Sequence, residues 1–132
     1  METDIMISLI PLNDTYSMYR FAHEQEIPLE IITSGFYSMT RTKDEISVVT
    51  NCPTDFEYFK SSKNWKGFMV EGILDFSLVG IIHDLTKPLK DNGIAVFVLS
   101  TFNTDYLFVK EENFSKTMDI FRCEDNIRIK EK

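Results

Sequence analysis

The chain has 132 residues, 43% of them hydrophobic, and a net charge of −7. That is ample apolar content for a core, which excludes wholesale disorder, and enough length for one compact domain or two very small ones. Residues 1–65 carry 5 basic and 10 acidic side chains, and residues 66–132 carry 9 and 11. Neither half is basic, which argues against nucleic acid as a partner and against attraction to anionic lipid.

Taken in chain order, Met1–Asp4 hold two acids and no Lys or Arg, and the apolar run Ile5–Leu12 is short and interrupted by Ser8 and Pro11. This fits neither a signal peptide nor a membrane span, so no membrane partner is expected. Ile5–Leu12 reads instead as a strand. Tyr16–Glu24 has the spacing of a short helix, and Ile27–Ser34, with Pro28, reads as a turn region. Phe36–Thr42 and Ile46–Thr50 form a hairpin around Lys43-Asp44-Glu45. Pro53–Phe59 reads as a second short helix, with proline at a tolerated first-turn position. The polar segment Lys60–Asn64 is the candidate linker.

The second half is clearer. Lys66–Leu74 alternates as a strand. Leu78, Ile81, Ile82, Leu85 and Leu89 then recur on one face of a helix, with Lys87 and Lys90 near its carboxyl end and Gly93 as a left-handed stop. Pro88 cannot donate to the Asp84 carbonyl, so a kink or break is expected just before it. Ile94–Ser100 is an apolar strand and Asn103-Thr104 the turn into another, Asp105–Lys110. Glu111–Phe121 is an amphipathic helix, and Ile127–Lys130 a last short strand. The order β-α-β-β-α-β is a split βαβ of ferredoxin-like type, and the first half repeats it more weakly. The expected fold class is therefore α+β, with two tandem ferredoxin-like units over residues 1–64 and 65–132. Each has an antiparallel sheet with helices on one side. The strand Ile94–Ser100 falls at a sheet edge, where a flat apolar strand needs a cover. Phe36–Thr42 of the first unit is the expected partner, and a second copy of the chain, giving a homodimer, is the other.

Trp65-Lys66, the block Glu71-Gly72-Ile73-Leu74-Asp75-Phe76-Ser77-Leu78-Val79-Gly80-Ile81, the pairs Pro88-Leu89 and Gly93-Ile94, and the block Ser100-Thr101-Phe102-Asn103-Thr104-Asp105-Tyr106 resemble one branch of the ACT superfamily. That branch is similar to the regulatory ACT repeats of aspartate kinases and to the eukaryotic cytosolic arginine sensors of the TOR pathway. Thr40–Val49 resembles the hairpin that precedes the second unit in the same group. Ile73 departs from the pattern, where proline is expected. The resemblance implies a stand-alone regulatory or sensory protein with an ACT fold.

The candidate site has two segments. Asp75, Phe76, Ser77, Leu78, Val79, Gly80 and Ile81 lead a strand into a helix, whose free N–H groups favour a carboxylate. Gly80 allows close backbone approach. Simple capping by Asp75 or Ser77 accounts for part of this segment without a ligand. Ser100, Thr101, Phe102, Asn103, Thr104 and Asp105 form a turn in which Asp105 can meet an ammonium group, although turn chemistry accounts for Asn103 by itself. Within one unit the two segments are expected at opposite ends of the sheet, so that a shared pocket needs an interface.

No His, Lys or Cys accompanies the carboxylates in a catalytic arrangement, so no enzyme is expected. Asp44 and Glu45 read as a solvated turn, and His23 and His83 as isolated imidazoles. Cys52 and Cys123 make neither a disulfide framework nor a metal motif. No cofactor and no metal are expected, and a reduced, cytoplasmic setting fits. The sequence thus points to a small-molecule sensor, with an amino acid as the ligand. The alternative is a non-catalytic structural or protein-interaction module without a small ligand.

Overall fold

The computed structural model describes residues 6–53, 60–71 and 80–131. The described elements are β1 (Ile7–Phe21), α1 (Leu29–Ile32), β2 (Tyr37–Arg41), β3 (Ile46–Thr50), β4 (Lys60–Val70), α2 (Ile81–Asp91), β5 (Phe97–Ser100), β6 (Asp105–Lys110), α3 (Phe114–Arg122) and β7 (Ile127–Ile129). A short 3-10 turn, Glu111–Asn113, precedes α3. The chain forms two compact units: unit 1 holds residues 1–13 and 66–132, and unit 2 holds residues 14–65. The strands β1 and β4 each contribute residues to both.

In unit 1 the strands run in the order β7-β1-β4-β6-β5. β5 and β6 pair antiparallel, with Ser100 opposite Asp105, whereas β1 and β7 pair parallel over Ile7–Leu9 and Ile127–Ile129. The expected wholly antiparallel sheet is corrected here. The amino-terminal part of β1 lies between β7 and β4, and its Ile7 and Leu9 point into the core. That core also holds Phe68, Val70, Leu85, Leu89, Leu107, Val109 and Phe121. Gly67, next to Phe68 of that core, leaves room for Phe108: a Cβ there would stand 2.8 Å from the Phe108 ring and 3.1 Å from Leu12.

α2 runs through Pro88 as one helix, so of the expected kink or break the break is not made. Pro88, Leu85 and Leu89 are all buried on one face, and this packing holds the helix together despite the missing N–H. The helix ends as its glycine predicts. Gly93 has φ +71°, its N–H donates to the Lys90 carbonyl at 3.1 Å, and the Ile94 N–H donates to the Leu89 carbonyl at 2.9 Å. This is a Schellman stop with a buried residue after it. Because Ile94 is spent on that stop, β5 begins only at Phe97, three residues later than expected.

In unit 2 the order is β2-β3-β1-β4. The hairpin forms as expected: β2 and β3 pair antiparallel from Tyr37–Thr50 to Arg41–Ile46. The Thr42 hydroxyl accepts from the Asp44 and Glu45 N–H groups, each at 3.2 Å, which makes the two acids a turn. Three expectations are corrected. Tyr16–Glu24 is not a helix; Tyr16–Phe21 continues β1, because Tyr19 and Phe21 alternate into a core with Val48 and Ile46 opposite them. The polar segment Lys60–Asn64 is not a linker but the first part of β4. The turn region contains α1, four residues long, which buries Ile31. The helix expected over 53–59 falls mostly outside the described residues.

Pro11 lies inside β1, where a missing N–H would ordinarily break a ladder. Along that edge, β7 pairs with Ile7–Leu9 and β3 with Ser17–Phe21. Pro11 falls in the gap between the two ladders. The expected joining of the two edge strands is not made: β2 pairs with β3 and β5 with β6, and each ends its run of strands.

Candidate functional site

The β5–β6 turn is a closed network. Ser100 Oγ donates to Asp105 Oδ1 at 2.5 Å. The Thr101 N–H donates to the Thr104 carbonyl at 2.8 Å, and the Thr104 N–H donates back to Thr101 Oγ1 at 3.2 Å. Thr104, 9% exposed, turns its hydroxyl inward and donates to the Val70 carbonyl at 2.7 Å. A buried hydroxyl needs such a partner, and the carbonyl at the end of β4 supplies it. Phe102, at the tip, is 82% exposed.

The Thr104–Val70 bond corrects one expectation. β4 and β6 are neighbours, and the end of β4 lies beside the start of β6. The turn therefore sits at the same edge of unit 1 from which the chain leaves β4 toward α2.

Of the other segment, Asp75, Phe76, Ser77, Leu78 and Val79 lie outside the described residues. Gly80 is the N-cap of α2, with φ +84° and no atom within 4 Å of where a Cβ would stand. Its glycine is thus explained by backbone conformation, which an L-residue adopts at a cost of about 1–2 kcal/mol. The helix starts at Ile81, later than the periodicity implies, and the Asp84 N–H donates to the Gly80 carbonyl at 2.8 Å. The first-turn N–H groups that no carbonyl within the helix accepts therefore belong to Ile81, Ile82 and His83. Ile81 itself is buried in the core of unit 1.

Sequence reasoning missed the role of Val70, because a main-chain carbonyl carries no residue signature. Glu71 was read only as part of a motif; its carboxylate meets Lys130 Nζ at 2.6 Å, and its N–H donates to the Ser8 carbonyl at 2.8 Å. Both cysteines are free thiols, Cys52 buried and Cys123 exposed. Among the described residues no group of His, Cys, Asp and Glu could hold a metal, and no helix is long and apolar enough to cross a membrane.

The family model for the ACT domain matches residues 60–123, which hold β4, α2, β5, β6 and α3. A second family model, of an N-terminal domain, matches residues 14–56. The structure of protein Atu0741 from Agobacterium tumefaciens is 31% identical, with a TM-score of 0.85, covering 96% of this chain and 94% of that one. The chain belongs to the same family of small ACT-domain proteins. Two more distant structures share the fold. VC0802 from Vibrio cholerae, a "possible transport protein" of unknown function, is 14% identical with a TM-score of 0.61, covering 86% of each chain. Aspartate kinase from Clostridium acetobutylicum, an allosteric enzyme, is 12% identical with a TM-score of 0.57; the match covers 80% of this chain and 32% of the kinase. No curated protein matches the chain in sequence.

Proposed function

We propose that this protein is a regulatory sensor that binds an amino acid in its ACT domain. The observation that carries the reading is the Thr104–Val70 hydrogen bond, which brings the Ser100–Asp105 turn to the edge where β4 exits. Asp105 is partly exposed, and its carboxylate accepts from Ser100 while keeping lone pairs for a ligand ammonium. The first-turn N–H groups of α2 suit the ligand carboxylate. Asp75, Phe76, Ser77, Leu78 and Val79 complete this site in the proposal. A tandem origin belongs to the same proposal, and the strand order β2-β3-β1-β4 of unit 2, which is that of a ferredoxin-like sheet, supports it. A cytoplasmic setting belongs to the same reading, since both thiols are free. The second reading, a module that holds another protein, is favoured by Phe102, 82% exposed at the tip of the turn.

Thermal denaturation in the presence of each proteinogenic amino acid separates the two. One of them is expected to raise the melting temperature by several degrees, because a ligand at about 100 times its dissociation constant adds about 2.7 kcal/mol. Asp105→Asn is expected to weaken that ligand in calorimetric titration. If no amino acid shifts the transition, the sensor reading fails and the interaction module stands.

A further inference from the structure

We infer a second ligand site in unit 1: a cleft that takes a small carboxylate with an apolar body, independent of the β5–β6 turn. The cleft has a volume of about 350 Å³ and is lined by Leu12, Asn13, Lys66, Phe114, Met118 and Glu131 among others. That volume falls at the lower end of the range for small-molecule pockets, roughly 300–1,000 Å³.

Its wall is mixed, and the apolar part packs on the core. Met118 is 7% exposed, and the Phe114 ring stacks on Phe68 with centroids 5.3 Å apart. Phe68 is itself fully buried and meets Phe121 edge-on at 5.5 Å. The aromatic part of the wall is therefore anchored in the core.

Its lining carries one cation, Lys66, and one acid, Glu131. Lys66 Nζ donates to the Asn13 carbonyl at 2.8 Å and lies 5.7 Å from the centre of the Phe114 ring. Among the described residues no carboxylate pairs with it. Glu131, the acid of the lining, pairs instead with Arg122 at 3.2 Å. In a chain of net charge −7, the cleft thus holds an ammonium whose neighbours are a carbonyl and a ring. An ammonium has three donors, and the carbonyl occupies one of them. A carboxylate supplies what is missing, a formal negative charge with strong acceptors. A lone Lys without a second cation or an Arg fork suits a monoanion better than a phosphate. The apolar body of the ligand would lie on Phe114 and Met118.

The test uses the whole chain with its methionine methyl groups labelled for NMR, the Met118 signal being assigned with Met118→Leu. Hexanoate is the probe and hexan-1-ol the control without a carboxylate. Hexanoate is expected to move the Met118 signal saturably, and hexanol to bind at least tenfold more weakly. Lys66→Met is expected to weaken hexanoate at least tenfold and Lys66→Arg to restore it. Lys66→Gln keeps a donor for the Asn13 carbonyl without the charge, so it covers the case in which Lys66→Met does not fold. Asp105→Asn is expected to leave hexanoate binding unchanged, which separates this cleft from the proposed amino-acid site. A Met118 signal that does not saturate, undiminished affinity in Lys66→Gln, or loss of hexanoate binding in Asp105→Asn would overturn the inference.

Discussion

Among the described residues, units 1 and 2 use related strand orders but cover their sheets to different degrees. In unit 1, α2 and α3, 11 and 9 residues long, supply Leu85, Leu89, Met118 and Phe121 to one continuous core. In unit 2 the described helix, α1, has four residues and supplies Ile31 alone. The consequence shows on β2. Tyr37 and Met39 stand opposite the buried Thr50 and Val48, on the same face of the sheet, yet each is 42% exposed. Leu29 and Ile32 of α1 are 69% and 44% exposed. Side-chain alternation decides which way a strand residue points, but burial needs a second layer long enough to lie over it.

The comparison breaks most readily at the two helices. Leu85 is fully buried, and Leu85→Ala is expected to cost about 2–5 kcal/mol through the cavity it leaves. Ile31→Ala removes an equally buried side chain from a four-residue helix, where the surroundings collapse more easily, and is expected near the lower end, about 2 kcal/mol. Denaturant midpoints check both, with His83→Ala, on the exposed face of α2, as a control expected within about 0.5 kcal/mol. If Ile31→Ala cost more than Leu85→Ala, the contrast between the units would be wrong.

Gly67→Ala sharpens it on the strand side. The added methyl would meet the fully buried Phe108 ring, so a loss of about 1–3 kcal/mol is expected. Thr104→Val keeps shape but removes the hydroxyl that satisfies the Val70 carbonyl, for about 1–3 kcal/mol. It should also weaken the amino-acid ligand if the position of the turn matters to binding, as calorimetric titration of a folded variant would show.

The smallest effect is expected at Lys87 and Asp91, whose side chains meet at 2.7 Å one turn apart on α2. The hydrogen bond from Lys87 holds the Asp91 carboxyl below its ordinary value of 3.8. The same bond raises the Lys87 ammonium above its ordinary 10.5. A lowered acid contributes stability above its ordinary pKa and loses it as pH falls through the folded one. A raised base contributes below its ordinary pKa and loses it as pH rises through the folded one. The pair therefore acts between those limits. Both groups are exposed to solvent, so Lys87→Ala should move the midpoint less than Gly67→Ala near neutral pH, and its own small effect should fade in acid.

Much of unit 1 was legible because its signals are local. The stripe Ile81, Leu85 and Leu89 and the stop at Gly93 each lie within one helix, and the structure keeps both. Tyr16 and Tyr19 misled because they sit three apart, as on a helix face. In β1 they serve different contacts: Tyr16 meets the Phe36 ring edge-on at 5.4 Å, and Tyr19 stacks with Phe21 at 5.8 Å. Lys60–Asn64 misled because polar residues on a strand look like a linker until their neighbours are known.

By itself the sequence determined the element types of the second half, the β2–β3 hairpin and the ACT resemblance, since periodicity, turn chemistry and motif spacing are properties of adjacent residues. Only the tertiary structure decided that β1 enters between β7 and β4, that Thr104 is tied to Val70 across 34 residues, and that Lys66 reaches Asn13 across 53. The physical reason is common to all three. Each rests on hydrogen bonds to main-chain groups, which every residue carries alike, so nothing in the order of side chains marks which carbonyl will be met.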